Sequence, residues 1–164
     1  MTVTANQKIV PFLWFDGQAE AAMKLYTSIF PGSEIRQLQR WGNNAPGFNA
    51  DWVRTGVIEI NGLRVFLFDA GPQFKFNESV SFMVTCKTQA EIDDYWAKLT
   101  ANGGKESECG WCKDPFGFSW QIVPELVTNA LDQGGDPTRI SNMMQALWKM
   151  KKLDIATLQA AYDA

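Results

Sequence analysis

The sequence predicts an α+β fold made of two similar strand-rich modules followed by a helical segment. Three observations carry this prediction: an order of strand, helix and strands that occurs twice, an Asn-Gly turn between two apolar runs, and a change to helical periodicity after Pro124. At 164 residues the chain has the length of one ordinary domain. We therefore expect one domain, residues 1–164, with half-modules at 8–70 and 79–124 and a helical extension over 125–164.

The first module begins with a buried strand and an amphipathic helix. Residues 8–15 (KIVPFLWF) form an apolar run rich in β-branched and aromatic side chains, which is typical of a buried strand. Apolar side chains then recur at steps of three and four over residues 18–30, and Pro31 ends the pattern, so this segment is predicted to be a helix. A second strand over 34–41 and a turn-rich loop over 42–51 are expected next.

A tight hairpin is the sharpest local signal of the first module. Asn61-Gly62 lies between the apolar runs 57–60 and 63–69. Because Asn and Gly tolerate the positive φ angles of a type I′ turn, the pair predicts two antiparallel strands joined by two residues.

The second module repeats this order. Residues 79–86 (SVSFMVTC) are predicted as a strand, and residues 89–99 as a helix. The turn sequence DPFG over 114–117 then precedes a closing strand over 118–123. The tripeptide Gln-Ala-Glu starts both helices, which adds to the evidence for a weak internal repeat.

The extension is predicted to be helical. Asp136-Pro137 is a favourable helix start, and Asp154 is expected to cap a last short helix through Tyr162. One face of the first of these helices is apolar; its members are Ile140, Met143, Met144, Leu147 and Met150. This stripe is expected to pack against the sheet or a second subunit rather than hold a cofactor.

Composition excludes several classes of function. The net charge is -3 and the basic residues are scattered, so no basic face is expected for nucleic acid. Residues 1–8 lack the layout of a secretory signal, and no apolar run has membrane-spanning length. Three cysteines, an odd number, fit reduced thiols better than a disulfide scaffold. We expect a cytoplasmic protein without nucleic-acid or membrane partners.

Long segments resemble a known family. The chain is similar to the PhnB-like branch of the vicinal-oxygen-chelate superfamily, which includes glyoxalase I, bleomycin-resistance proteins and extradiol dioxygenases; this branch often carries the label 3-demethylubiquinone-9 3-methyltransferase. The matching pieces are IVPFLWFDGQAEAAMKLYTSIFPGS, SFMVTCKTQAEIDDYWAKL, CGWCKDPFGFSWQIVPE and MKKLDIATLQAAY. The resemblance implies paired βαβββ modules around a concave pocket for a small molecule, and a homodimer.

The resemblance also locates the positions where metal-dependent relatives carry ligands. These positions fall at or near Ile9, Asp69, Ser79 and Gln121 in this chain. Among them, only Asp69 could serve as an anionic ligand, and the chain contains no histidine. Ser79 and Gln121 offer neutral oxygen atoms, which hold transition metals weakly. We therefore expect no metal and no other cofactor.

Strand alternation extends these positions into a ligand-contacting face, since residues two apart share a face of a strand. Besides Asp69 and Gln121, alternation gives Leu13, Leu67, Ser81 and Met83 as residues expected to contact the ligand. The resemblance of Cys109-Gly110-Trp111 to the family's CGW motif adds Cys109 and Trp111. The aromatic side chains expected to face the helices are Phe12, Trp14, Phe66, Phe68, Phe82 and Trp120. The predicted pocket is apolar with a few neutral polar groups, which suits a small apolar or aromatic ligand.

The Cys109–Cys112 spacing has three interpretations. It matches redox dithiols and half of a zinc knuckle, but only Cys86 remains for a second half. A redox pair is expected at a helix N-terminus, whereas this pair precedes a strand turn. Ordinary structural cysteines are favoured, with Cys109 the better candidate for the pocket.

Three kinds of function stay open at this stage. The protein is either a binding protein that sequesters a small ligand, an enzyme in which Asp69 or Glu125 transfers a proton, or an interaction module that uses the methionine stripe. The methyltransferase label depends on the family name alone, since the chain has no G-x-G-x-x-G loop after a strand.

Overall fold

The computed structural model describes residues 7–164, which form two compact units. One unit ends at Lys75, and the other runs from Phe76 to Ala164. The boundaries predicted for one domain with two half-modules stay a prediction. The predicted lack of a secretory signal concerns mainly residues 1–6, which lie outside the described residues.

The first unit is a four-stranded sheet with one helix on one face. Its elements are β1 (Phe12–Phe15), α1 (Ala19–Ile29), β2 (Glu34–Arg40), β3 (Val53–Ile60) and β4 (Leu63–Asp69). The strand order is β1-β4-β3-β2, with β1 parallel to β4 and the other pairs antiparallel. Strand β1 begins later than predicted; Pro11, just before it, lacks the N–H that a ladder residue donates.

The second unit repeats this arrangement and then adds three helices. Its elements are β5 (Ser81–Cys86), α2 (Gln89–Thr100), β6 (Lys105–Glu106), β7 (Trp111–Lys113), β8 (Ser119–Pro124), α3 (Glu125–Gln133), α4 (Pro137–Leu147) and α5 (Ile155–Asp163). The strand order β5-β8-β7-β6 reproduces that of the first unit, including the parallel outer pair. The predicted repeat and α+β class are confirmed.

Local signals placed several boundaries correctly. Asn61 and Gly62 have φ angles of 45° and 85°, as the type I′ hairpin between β3 and β4 requires. Asp136 accepts hydrogen bonds from the amides of Thr138 and Arg139 at the start of α4, and Asp154 caps α5 in a similar way. The short strands β6 and β7 were not predicted individually, because two or three residues show no periodicity.

The core of the first unit lies between α1 and its sheet. Ala19, Ala22, Met23 and Tyr26 are fully buried. Gly56 in β3 permits the close approach, because a Cβ atom there would lie 2.5 Å from the Met23 sulfur. Small residues on the helix and a glycine in the strand therefore bring α1 close to the sheet.

The core of the second unit has two layers. On one side of the sheet, α2 buries Ile92, Trp96 and Leu99, and Trp120 and Ile122 of β8 are buried as well. On the other side lies the extension cluster, which comprises Val123, Val127, Ala130, Met143, Leu147, Leu153 and Leu158. The predicted packing of the methionine stripe against the sheet is confirmed, since Met143 belongs to the same cluster as Val123 of β8. No helix within residues 7–164 is long and apolar enough to cross a bilayer.

Candidate functional site

The candidate site lies on the face of the second sheet that α2 does not cover. Along β8, Trp120 and Ile122 are fully buried on the α2 side, so Gln121 and Val123 belong to the opposite face. Gln121 pairs with Met83 on β5 and with Trp111 on β7. These three residues therefore form one row across the sheet.

Helices α3 and α4 cover part of this row and leave a cavity of about 280 Å³. The sheet side of the cavity consists of Met83, Trp111, Gln121 and Val123, together with Cys109 just before β7. The helix side consists of Val127, Thr128, Leu131, Asp132, Met144, Leu147 and Trp148. The lining is mainly apolar, and four of the predicted contact residues (Met83, Cys109, Trp111 and Gln121) lie together in it.

The extension is attached to the sheet through the Cys109-Gly110 turn. The amide of Cys109 donates to the carbonyl of Met150, and the amide of Gly110 donates to that of Lys151, both at 2.7 Å. Both turn residues have positive φ, at 59° and 81°. A Cβ atom on Gly110 would lie 2.9 Å from Leu153, so glycine is needed for both its φ angle and the close contact. The CGW motif therefore holds the wall of the cavity in place.

A second attachment comes from α2. The Gln89 side chain donates to the carbonyl of Leu153 at 3.1 Å and accepts from the amide of Ile155 at 2.9 Å. Lys152 also forms an ion pair with Asp93 of α2. The segment between α4 and α5 is thus bonded to two separate parts of the module.

Few polar groups reach the cavity. The Gln121 amide nitrogen donates to Ser81 Oγ at 2.8 Å, which leaves its amide oxygen as a hydrogen-bond acceptor beside an apolar lining. Asp132 supplies the one charged side chain among the described lining residues. Ser81 was predicted to contact the ligand; it orients Gln121 and is not itself part of the lining.

A second cavity of about 220 Å³ lies near the other end of β7 and also has Trp111 in its wall. Ser119 lines it and is 1% exposed, and its hydroxyl has no hydrogen-bond partner within residues 7–164. Lys113, on the neighbouring strand, is paired with Glu78 at 2.6 Å. The hydroxyl of Ser119 therefore belongs to the small set of buried polar groups that the fold leaves unsatisfied.

The orientation predicted for the first module is wrong. Leu13, Leu67 and Asp69 are buried on the face that α1 covers. The Asp69 carboxylate accepts hydrogen bonds from the amides of Ala19 and Val53, both at 2.9 Å. These bonds make Asp69 a cap for α1, whose own N-cap residue, Gln18, makes no capping hydrogen bond with its side chain.

The aromatic side chains of the first module lie on the opposite face. Phe12 is 59% exposed, and it packs against Phe66 and Phe68, with Trp14 next to Phe68. The assumption that large aromatics face the helix failed here because α1 lies too close to the sheet for them. Gly56 was the available signal, since a glycine inside a strand marks a close approach of another element.

In the second module the aromatic prediction is confirmed for Trp120. Its indole nitrogen donates to Asp114 at 2.9 Å, and Asp114 also accepts from the amides of Phe116 and Phe118. The aspartate of the DPFG turn therefore has a structural role, because its hydrogen bonds join the turn to Trp120 of β8.

Within each unit, the positions that correspond to metal ligands in relatives are exposed or already hydrogen-bonded to other groups. Ile9 is 89% exposed and precedes β1, and Ser79 precedes β5 and bonds to Asn77. Asp69 is held by two amides, and Gln121 by Ser81. Among the described residues, no group of three or more Cys, Asp or Glu side chains could hold a metal ion.

Two of the three cysteines are buried thiols. Burial raises the pKa of Cys86 to about 12, with Glu91 adding to the effect, and burial raises that of Cys112 to about 12, with Asp114 and Glu106 adding to it. A thiol with a raised pKa is a poor nucleophile at neutral pH. The redox interpretation of the C-x-x-C spacing has no support in this geometry.

The sequence did not identify the helix side of the cavity. Leu131, Asp132 and Trp148 are exposed at its edge, and their positions in sequence carry no local signal for a site. Their proximity to Met83 arises only from the way in which the extension folds back onto the sheet.

The duplicated β1-β4-β3-β2 topology, with a cavity between the second sheet and helices α3 and α4, is the fold of the vicinal-oxygen-chelate class of proteins. A family model described as 3-demethylubiquinone-9 3-methyltransferase matches residues 7–123. The chain belongs to this family, the PhnB-like branch predicted from its motifs.

One solved structure supports this assignment, and two more distant ones share the fold. A PhnB protein from Bacillus cereus, described as a putative 3-demethylubiquinone-9 3-methyltransferase, is 35% identical; the match covers 72% of this chain and 99% of that chain, with a TM-score of 0.67. A protein from Pseudomonas aeruginosa is 19% identical over 73% of this chain and 98% of its own, with a TM-score of 0.62. The fosfomycin resistance protein FosX from Mesorhizobium loti shares the fold at 10% identity, over 77% and 98% of the two chains, with a TM-score of 0.53. No curated protein matches the chain.

Proposed function

We propose that the protein binds a small, mainly apolar ligand in the cavity between its second sheet and helices α3 and α4. The observation that carries this proposal is the cavity itself, whose volume of about 280 Å³ lies just below the range of roughly 300–1,000 Å³ for ligand sites and so suits a small ligand. An apolar lining with one oriented amide, that of Gln121, is the usual composition of such a site.

Binding is favoured over conversion. The two carboxylates that the sequence offered for proton transfer are absent from the described lining: Asp69 caps α1, and Glu125 is the first residue of α3. Methyl transfer, which the family description names, is not proposed, because the chain has no glycine-rich loop for a conventional methyl donor. Binding is expected to be independent of metal, since the lining provides a single carboxylate.

Calorimetric titration with 2-naphthalenemethanol, a neutral aromatic probe, tests the proposal. We expect saturable one-to-one binding that a chelator leaves unchanged. Met83→Trp should weaken it at least fivefold, since Met83 lies at the edge of the cavity and is 55% exposed, so the fold tolerates a larger side chain. Ile9→Trp, at an exposed site outside the cavity, is the matched control. Absence of saturable binding, or equal affinity of both variants, would refute the proposal.

A homodimer, which the family resemblance implies, is a second proposal. The exposed aromatic face of the first unit supports it, because Phe12 and Phe74 are 59% and 64% exposed and continue the ring cluster of Trp14 and Phe68. Light scattering after size exclusion should give twice the chain mass, and Phe12→Ser should shift it toward the monomer. Val80→Ser, at another exposed apolar residue, should not.

A further inference from the structure

Much of the cavity wall belongs to residues 124–148, which the matched family model does not include. The family model ends at residue 123, and the Bacillus cereus protein is covered over 99% of its length by only 72% of this chain. Helices α3 and α4 lie beyond residue 123 and supply the helix side of the cavity. If this protein and such relatives bind different ligands, the difference should therefore depend on residues of the extension.

The extension contributes one charge, and this charge is negative. Asp132 is the charged side chain in the described lining, and no lysine or arginine accompanies it there. Within residues 7–164 the Asp132 carboxylate forms no ion pair or hydrogen bond. A cation that approaches the cavity edge therefore finds a carboxylate whose charge is not neutralised by the protein.

The backbone of α3 adds to this negative potential. Asp132 lies in the last turn of the helix, which ends at Gln133 and contains no basic residue in that turn. The unpaired carbonyls at a helix C-terminus carry a partial negative charge that favours cations. Here the carboxylate and the helix end act in the same direction at the same edge of the cavity.

Two indole rings in the lining also favour a ligand that is both apolar and cationic. Trp111 lies on the sheet side of the cavity, and Trp148 lies on the helix side, where it is 63% exposed. Indole faces attract cations as well as apolar groups. An anionic ligand would meet no positive group in the described lining.

From these observations we propose that the ligand is an apolar or aromatic molecule that carries a protonated amine, with the apolar part between the sheet and α3/α4 and the ammonium group at Asp132. This inference depends on the proposed function and specifies the class of ligand for the same site.

Three probes with one ring system test it: 2-naphthalenemethylamine, 2-naphthalenemethanol and 2-naphthoate, titrated calorimetrically at pH 7. The amine is expected to bind about two- to fivefold more tightly than the alcohol, the range for a solvent-exposed charge pair, and the carboxylate more weakly than the alcohol. The preference for the amine should shrink between 20 mM and 500 mM NaCl, because salt screens exposed charges.

Two variants separate the charge of Asp132 from its other effects. Asp132→Asn should bring the affinities for the amine and the alcohol to within the error of the titration. Asp51→Asn removes an exposed carboxylate in the first unit and should preserve the preference.

The outcomes distinguish the two proposals. If none of the probes binds, the proposed function fails. If the alcohol binds but the amine binds no better, or if Asp132→Asn keeps the preference, the proposed binding function is supported and the proposed ligand class is wrong. Tighter binding of the carboxylate would also overturn the ligand class.

Discussion

The carboxylate of Asp69, at the end of β4, accepts the amide of Ala19 at the start of α1, 50 positions earlier in the chain, at 2.9 Å. The same carboxylate accepts the amide of Val53 through its other oxygen. The bonds join the end of β4 to the starts of α1 and β3, and they give the residue a structural role.

We predict that Asp69→Asn lowers the free energy of unfolding by roughly 1.5–3 kcal/mol, the range for hydrogen bonds to a charged group. The amide can accept only one of the two N–H groups and faces the other with its own donor. Urea unfolding measures the change. Asp16→Asn, an exposed neighbour of α1, is the control and should have little effect; an Asp69 variant of wild-type stability would contradict the capping role.

Gly110→Ala is predicted to destabilise the protein more than Gly117→Ala. Both glycines have φ above 80°, so both substitutions introduce backbone strain of about 1–2 kcal/mol. Only at Gly110 does the new methyl group meet neighbours, Leu153 at 2.9 Å and the Ile122 carbonyl at 3.0 Å, which adds about 1–3 kcal/mol. Thermal unfolding of the two variants provides the comparison. Equal melting temperatures would show that the turn does not hold the extension.

Thiol labelling at pH 8 should modify one cysteine in the folded protein and three after unfolding. Cys86 and Cys112 are buried and keep their protons, whereas Cys109 is half-buried at the cavity. Cys109→Ser should abolish labelling of the folded protein. Rapid modification of Cys112 in the native state would contradict its burial.

Stability is predicted to fall as the pH rises from 9 to 12. The pKa values of Cys86 and Cys112 are raised from about 9.0 when unfolded to about 12 when folded, so the unfolded state loses these protons first. Below pH 9 this contribution to stability is fully present. Between pH 9 and pH 12, each of the two thiols lowers the free energy of unfolding by up to about 1.4 kcal/mol per pH unit. Urea unfolding at several pH values gives the slope. Cys112→Ala should make it shallower; an unchanged slope would contradict the predicted titration.

Ser119→Ala is predicted to leave the free energy of unfolding unchanged or to raise it by about 1 kcal/mol. The substitution removes a buried hydroxyl that has no partner in the described chain, and an unsatisfied buried group is itself destabilising. Ser81→Ala is the contrast, since it removes the acceptor of the Gln121 bond and should be destabilising. A loss of stability in Ser119→Ala would indicate that the hydroxyl is bonded in solution.

The sequence by itself determined the duplicated topology, most element boundaries and several residues on the sheet side of the cavity. Asn61-Gly62, Asp136-Pro137 and the helical periodicities are local signals, because turn dihedrals, caps and amphipathic faces depend on residues close in the chain. Met83 and Gln121 could also be predicted from the sequence, since strand alternation is a local rule. Trp111 was included through the segment that resembles the family. The family resemblance supplied the register that placed them on one face.

Tertiary structure alone decided which face of the first sheet α1 covers and what closes the site. The first depends on how closely Ala19, Ala22 and Met23 approach Gly56, a distance that no pattern in the strand encodes. The closure of the cavity depends on helices α3 and α4, which fold back onto the second sheet and bring Asp132 close to the row that contains Gln121. Alternation states which residues share a face of a strand, but the packing partner decides which of the two faces is buried.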